Sequence, residues 1–512
     1  MKRAQHSILI LTALLGTGCL SAQEKLMQTK AKNTEHVQIG LKVILDNINL
    51  PTVIKTAIIP GDKQESIFVT TQPGEILLIR RGKSQKVLDL SFANGGPILK
   101  LGGVSGDETY DERGLLGIEF HPEFQNNGRF FLYYSTQDNT QKLRDIVDNP
   151  DPCNPATLSV AWTDESKYSH VNVVEEWKWN STSDIKRVRR LLSIKHPFFN
   201  HSSINNLFWS DELDKLLLLT GDGGFRDGPF NLSQDDNYFH GKVIALNLNS
   251  SVWRTYRSRP IARFAELPLK IRRTVETLVK GVRNWSGVTE FRSVKDERSI
   301  KFVGQPGQDF VEAVFAFKKF YKRDKNGNKQ PLNFGWRAFE GSWPTTHYRD
   351  CTTNKPTPRA SSLLGVTFPQ EAVALNVERR LPYCEYFHQD KRPGKVEGVC
   401  ITAQQVYRGN ALKGLKNHLI ISDWAQNSGA AFPTGMPISL GFLIHVPIDH
   451  KLTKLHDFER IDIAYEFKKP AFFVSLGANK RQTRIFLGTY ETAGTTTPGL
   501  GTIFELVPAQ IS

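Results

Sequence analysis

Residues His201–Gly224 read HSSINNLFWSDELDKLLLLTGDGG, and the interpretation of this stretch decides the architecture. Asn206 to Ser210 is short and mixed, Lys215 to Thr220 is a continuous apolar run, and Ser-Asp-Glu between them has turn composition. Short runs bounded by turn residues pair as a β-hairpin and do not wind into a helix. Such a hairpin carries His201 and Asp222 at the outer ends of two paired strands, on one edge. A neutral imidazole beside a carboxylate is how a general base is oriented and its protonated form stabilised. The plainer reading is a histidine at a strand start and an aspartate in a glycine turn.

The same punctuation continues on both sides. Thr56 to Ile59, Ser66 to Thr70 and Glu75 to Ile79 are each followed by Gly- or Pro-containing turns, and Arg129 to Tyr134, Val171 to Lys178 and Lys186 to Ile194 also have strand composition. Gly241 to Leu246 is expected to close the hairpin's own sheet, and further strands are expected near Val288, Ser299 to Val303, and through Thr502 to Val507. The 39 glycines and 26 prolines are spread along the 512 residues, which suits many turns and short strands and points to an all-β fold. Asp324, Asn326 and Asn328 alternate like a calcium loop, but the glycine is misplaced and no distal glutamate follows, so Lys325-Asn326-Gly327-Asn328 reads as a hairpin turn. No linker divides the chain, so residues 40–510 are expected to form one domain with insertions near 139–185, 250–280 and 340–398.

The N-terminus, MKRAQHSILILTALLGTGCLSAQ, has Lys2 and Arg3 before an apolar run, the pattern of a secretory signal over residues 1–22. A lipoprotein-type signal ending before Cys19 would add a lipid anchor. Export to the periplasm, the medium or the cell envelope is therefore expected. No later stretch approaches the ~20 apolar residues of a membrane-spanning helix. Beyond Cys19 the cysteines are Cys153, Cys351, Cys384 and Cys400, which an oxidising compartment can pair in three ways. The net charge of +14 is concentrated from Arg254 to Arg283. No nucleic-acid module accompanies it, and Ile271, Val275, Leu278 and Val279 recur at helical spacing, so a surface helix with a solvated basic face is expected there.

Six motifs in order carry a family resemblance: DERGLLGIEFHPEF (Asp111 to Phe124), HSSINNLFWS with GDGG, GVRN (Gly281 to Asn284), VGQPGQDFVEAV (Val303 to Val314), NFGW (Asn333 to Trp336) and QVYRG (Gln405 to Gly409). Together they resemble the glucose/sorbosone dehydrogenase family, including its Hedgehog-interacting-protein-like branch, whose members need not be enzymes. The resemblance implies a six-bladed β-propeller with loop insertions and a site over its central channel. It implies calcium and pyrroloquinoline quinone (PQQ) as cofactors, an aldose sugar as substrate oxidised to its lactone, and an external electron acceptor. By motif, His201 matches the general base, Asp222 its carboxylate partner, and Arg283 an arginine near quinone and sugar. Glu112 falls at a substrate-contacting position, Asn284, Arg408 and Lys468 at cofactor-binding positions, and the Pro306 and Gly307 carbonyls at a calcium site. A guanidinium can stabilise charge on a quinone oxygen, a tricarboxylate needs basic partners, and hard carbonyl oxygens suit calcium.

The chain also departs from the family. His201 is followed by Ser-Ser-Ile where many relatives have Asn-Gly-Gly, and at the C-terminal cofactor clamp only Lys468, Lys469 and Pro470 align. Sequons occur at Asn180, Asn200, Asn231, Asn249 and Asn284, two of them abutting the proposed site. A non-catalytic propeller that binds a protein or glycan is the rival reading.

Overall fold

The computed structural model describes residues 37–102, 111–136, 162, 164–225, 228–293, 298–308, 310–344, 349–350, 355–356, 377, 380–388, 396–426, 441–491 and 500–509. The expected signal, Cys19, Cys153 and Cys351 lie outside them.

Four-stranded antiparallel ribbons recur along the chain. The first pairs Pro51–Ile58, Glu65–Thr71, Glu75–Arg80 and Lys83–Asp89 in sequence order. The second pairs Leu115–Phe120, Arg129–Thr136, His170–Ser181 and Asp184–His196, with Pro260–Ile261 added in parallel at its outer edge. The predicted hairpin, Leu207–Ser210 with Lys215–Thr220, opens the third, which continues through Lys242–Leu246 and Val275–Lys280. Val288–Phe291, Ile300–Gln305, Val311–Phe317 and Cys384–Phe387 make the fourth. An eight-stranded sheet follows, running Ile401–Tyr407, His418–Asp423, Phe442–Pro447, Glu459–Ile463, then Gln38–Asn49, Leu500–Pro508, Ile485–Tyr490 and Phe472–Ala478.

These sheets face one another in succession. Phe68 and Ile76 of the first pack on Leu132 and Trp177 of the second. Phe131 and Leu192 of the second meet Leu216 and Ile244 of the third. Leu217 and Val279 of the third meet Val303 and Phe315 of the fourth, whose other face meets Val406 and Ile421. Ile54 and Val69 of the first sheet then pack on Phe486 and Ile503. The succession therefore returns to its start, a propeller-like arrangement in which the inner strands are buried on both faces, while outer strands such as Lys83–Asp89 are exposed. That is why inner strands such as LLLL at 216–219 read as continuous apolar runs, each buried side chain contributing about 1.5–3 kcal/mol.

Three expectations need correction. Lys242–Leu246 does not close its sheet, because Val275–Lys280 pairs beyond it. The helix expected around Ile271 is a single turn, Leu269–Arg272, and Val275, Leu278 and Val279 belong to that strand. Leu278 and Val279 are adjacent and both buried, which a strand covered on two faces permits and a surface helix does not. The basic side chains Arg254, Arg257, Lys270, Arg272 and Arg273 are exposed, as the solvated-face reading requires. Cys384 and Cys400 are free thiols. The Lys325–Asn328 turn joins two paired strands, with the Asp324 carboxylate accepting from the Asn326 and Asn328 amides. Of the stretches expected as insertions, 170–185 is the central hairpin of the second sheet, 275–280 is a sheet strand and 384–387 another.

Candidate functional site

One cavity of about 400 Å³ opens where the sheets converge. Thr52, Leu116, Ile401, Thr402 and Val474 line it from the first turns of their sheets' innermost strands, and Trp424 and Tyr490 from the ends of second strands. His201, Ser203, Arg283, Asn284 and Trp285 reach it from the loops that enter the third and fourth sheets. The fold thus gathers residues that are far apart in sequence at one end of the strands. The size lies within the range of small-molecule pockets.

His201 and Asp222 meet as the hairpin predicted. His201 Nδ1 lies 2.8 Å from Asp222 Oδ1, and both residues are buried, 2% and 4% exposed. Asp222 is itself held: Oδ1 accepts the Gly224 amide at 3.0 Å and Oδ2 accepts the Trp336 indole N–H at 2.7 Å. With Nδ1 committed to the carboxylate, the ring lines the cavity and its Nε2 meets no hydrogen-bond partner among the described residues. That is the tautomer and orientation a base needs. Gly221 makes the approach possible, since a Cβ there would overlap the His201 carbonyl oxygen.

His201 and Ser203 both have positive φ, 61° and 64°. Side chains adopt that backbone at a cost, which glycine avoids. Hydrogen bonds offset it here. The His201 amide donates to Glu112 Oε2 at 2.6 Å, and the Ser203 hydroxyl donates to Asn284 Oδ1 at 2.9 Å. Ser202 Oγ lies 3.0 Å from His170 Nε2. The Ser-Ser departure from the family pattern is therefore compensated locally.

Arg283 Nη1 donates to the Gly307 carbonyl at 2.9 Å and approaches that of Pro306 at 3.5 Å, while the guanidinium carbon sits 5.8 Å from the centre of the Trp336 ring. The Arg283 carbonyl accepts the Asp222 amide at 2.8 Å. So His201, Asp222, Arg283, Asn284, Glu112, Pro306 and Gly307 come together. Arg408 and Lys468 do not. Arg408 follows the far end of the Ile401–Tyr407 strand, roughly 20 Å along it from the cavity-lining Ile401, with its guanidinium over Phe291. Lys468 is exposed and outside the cavity wall. Strand direction carries Arg408 away from the cavity-lining end, and Lys468 lies in the loop before the Phe472–Ala478 strand.

Behind the cavity lies a buried acidic group that sequence reasoning missed. Glu312 accepts the Ile401 amide at 2.7 Å and bonds His388 Nε2 at 2.6 Å. Burial pulls the His388 ring down, but the Glu312 bond and charge outweigh it and lift its pKa above the ordinary value. Burial and then the Glu312 charge raise Asp423 to about 7. Burial first, then these carboxylates, push the Cys400 thiol well above its usual value, so it lines the cavity as a neutral group. Beside this group the wall is aromatic: Trp424, whose amide donates to the Cys400 carbonyl at 2.8 Å, stacks on Phe472 at 4.8 Å, and Tyr490 meets it edge-on at 5.6 Å.

Residues 54–259 match the Glucose / Sorbosone dehydrogenase family. Over that stretch the chain is similar to the family. Arabidopsis thaliana HIPL1 protein is 27% identical over 308 residues, 55% of this chain and 40% of the relative. HIPL2 protein of the same plant is 25% identical over 46% of this chain and 34% of its own length. The chain thus matches less than half of either relative. Among solved structures, the soluble aldose sugar dehydrogenase of Escherichia coli, in its apo-form, aligns with a TM-score of 0.51 at 13% identity, covering 92% of this chain and 100% of that one. A Thermus thermophilus protein described as a putative oxidoreductase (glucose dehydrogenase) aligns at 0.50 with 14% identity, 92% of this chain and 100% of that one. At such identities the likeness is one of fold.

The likeness to the glucose/sorbosone dehydrogenase family over residues 54–259 brings calcium and PQQ as expectations, and the cavity can be tested against both. PQQ is a tricarboxylate and needs several cations. Among the described lining residues Arg283 is the one Lys or Arg, beside Asp111 and Glu112. Asp111 is matched by Arg113, which holds it with two bonds of 2.8 and 2.9 Å. The carbonyls expected to ligate calcium accept from Arg283, and no group of three or more His, Cys, Asp or Glu among the described residues could hold a metal ion. The described residues do not fit the calcium and PQQ pair.

Proposed function

We propose that this protein is a sugar-oxidising enzyme whose cavity binds a polyhydroxylated ring and whose His201 takes the proton from a ring hydroxyl. One observation carries the reading: an imidazole fixed through Nδ1 by Asp222, its Nε2 without a hydrogen-bond partner among the described residues, in a cavity also lined by Trp424 and Tyr490. An aromatic face suits the apolar face of a pyranose, and the polar residues that also line the cavity suit its hydroxyls. As the anomeric O–H proton passes to Nε2, the Asp222 carboxylate stabilises the imidazolium. The C–H hydrogen leaves as hydride to an electron acceptor, and the carbon becomes the lactone carbonyl. Glu112, bonded to the His201 amide, fixes the backbone that presents the base. Arg283 supplies a permanent positive charge at the same end, suited to oxygen that gains negative charge.

The propeller is inferred to have six blades. Six four-stranded antiparallel units within the sheets support this count, with Lys329–Asn333 and Tyr321–Arg323 extending the third, Pro260–Ile261 flanking the second and Gln38–Asn49 in the last. Export follows from the signal-like N-terminus, and among the described residues no helix is long and apolar enough to cross a membrane.

The test is a dye-linked assay of the purified protein over a panel of aldoses, with and without PQQ, alongside calorimetry with PQQ. Sugar-dependent dye reduction, lost by ~10²–10⁴-fold in His201→Ala, is the expected result. Stimulation by PQQ would establish the quinone as acceptor in spite of the missing clamp. Sugar binding without turnover under either condition would turn the assignment to the non-catalytic propeller, a second reading favoured by Arg408 and Lys468 lying away from the cavity.

A further inference from the structure

We infer that Arg283 is the resident cation of this cavity: its guanidinium occupies the carbonyl cradle of Pro306 and Gly307, and ligand binding here is independent of a divalent metal. The inference concerns the same pocket as the sugar reading, but its test needs no turnover.

The loop after Ile300–Gln305 is oriented by carboxylates on its far side. The Gly307 amide donates to Glu312 at 3.2 Å, and the Gln308, Phe310 and Val311 amides donate to one oxygen of Glu340 at 2.9, 2.7 and 3.0 Å. Both glutamates are buried, 0% and 1% exposed. With its amides fixed there, the loop aims the Pro306 and Gly307 carbonyls at Arg283 and the cavity. Pro306 and Gly307 are buried residues, and buried carbonyl oxygens require a donor or a cation.

Arg283 meets that requirement from a fixed position. Its Nη1 reaches both oxygens, its guanidinium rests over Trp336, and its own carbonyl is tied to the Asp222 amide. A second cation on the same oxygens would sit against a permanent positive charge in low dielectric, where repulsion is strong. Calcium also wants about 6–8 oxygen ligands, whereas Glu312 and Glu340 accept from the loop's own amides, Glu112 from the His201 amide and Asp111 from Arg113. The charge supplied by the arginine depends neither on ion concentration nor on pH in the working range.

Calcium is titrated calorimetrically into the wild-type protein, and thermal unfolding is followed with calcium and with EDTA. The expected result is no saturable heat and one Tm under both conditions. A stoichiometric calcium site that raises the wild-type Tm would overturn the inference. In Arg283→Ala, millimolar methylguanidinium is expected to raise the Tm saturably while leaving that of the wild type unchanged, and a folded variant that shows no such rescue would also overturn it. If Arg283→Ala does not fold, Arg283→Lys is expected to unfold at a higher temperature than Arg283→Gln, because it keeps the charge. The reverse order counts against the inference. A sugar dehydrogenase that turns over yet binds calcium would defeat this inference alone, and an inactive protein indifferent to calcium would defeat the functional reading alone.

Discussion

The dyad depends on one residue that lies far away in the chain. His201 and Asp222 are 21 residues apart and join through a hairpin, whereas the Trp336 indole that holds the other Asp222 oxygen is 114 residues away. A bond from a neutral donor to a charged acceptor contributes about 1.5–3 kcal/mol. Trp336→Phe keeps the ring under Arg283 and removes that donor. Steady-state kinetics on the best aldose should show kcat lowered about ten- to a hundredfold with KM nearly unchanged. The pH profile should also move, because the carboxylate that orients the base and stabilises its protonated form is less constrained. A purely structural tryptophan would lower stability and leave the profile in place. Ser203 allows a second test at this scale. Ser203→Ala keeps the strained φ of 64° and loses the bond to Asn284, so chemical denaturation should show it less stable by about 1 kcal/mol. Ser203→Gly relieves the strain as it loses the bond and should stay near wild type.

At the scale of elements, the entry to the third sheet rests on a cluster of buried histidines. The ring centres of His170 and His196 are 4.9 Å apart, and those of His196 and His240 5.5 Å apart. Burial, with smaller contributions from neighbouring cations, lowers all three, His196 to about 4. They are neutral when folded, whereas an unfolded histidine titrates near 6.5. Below that value the unfolded chain binds more protons, so their stabilisation is complete above about pH 6.5 and is lost as pH falls towards 4. Asp423, raised to about 7, acts in the opposite sense over part of this range, so a comparison of variants isolates the histidines. His196→Gln should flatten the dependence of Tm on pH between 6.5 and 4 in scanning calorimetry; an unchanged slope would exclude the cluster as its source. The strands and turns around this cluster were legible because apolar runs and Gly-rich punctuation are local. The helix expected near Ile271 failed because its apolar spacing also fits a strand buried on both faces, and only pairing with Lys242–Leu246 separates the two.

Across the whole molecule, closure depends on the N-terminal strand. Gln38–Asn49 pairs antiparallel with Leu500–Pro508 and parallel with Glu459–Ile463, and it buries Ile39, Leu41 and Ile48. A chain beginning after residue 49 exposes two strand edges and the apolar faces that this strand covers. It should lose the single cooperative thermal transition of the full protein and aggregate on heating. Retention of that transition would show that closure is supplied elsewhere.

The sequence by itself determined the all-β class, the hairpin that joins His201 to Asp222, and the motif order that brings Glu112, Arg283, Asn284, Pro306 and Gly307 to one cavity. The class and the hairpin follow from local periodicity, turn residues and a short spacing, whereas the grouping of the other residues rested on the resemblance of the ordered motifs to a known family. Tertiary structure alone decided that Trp336 holds Asp222, that Arg408 and Lys468 lie away from the cavity, and that Arg283 fills the carbonyl cradle. The physical reason is that a motif fixes a residue's segment. Which end of a strand faces the axis, and which distant donor satisfies a buried acceptor, is set only when the sheets pack in a ring.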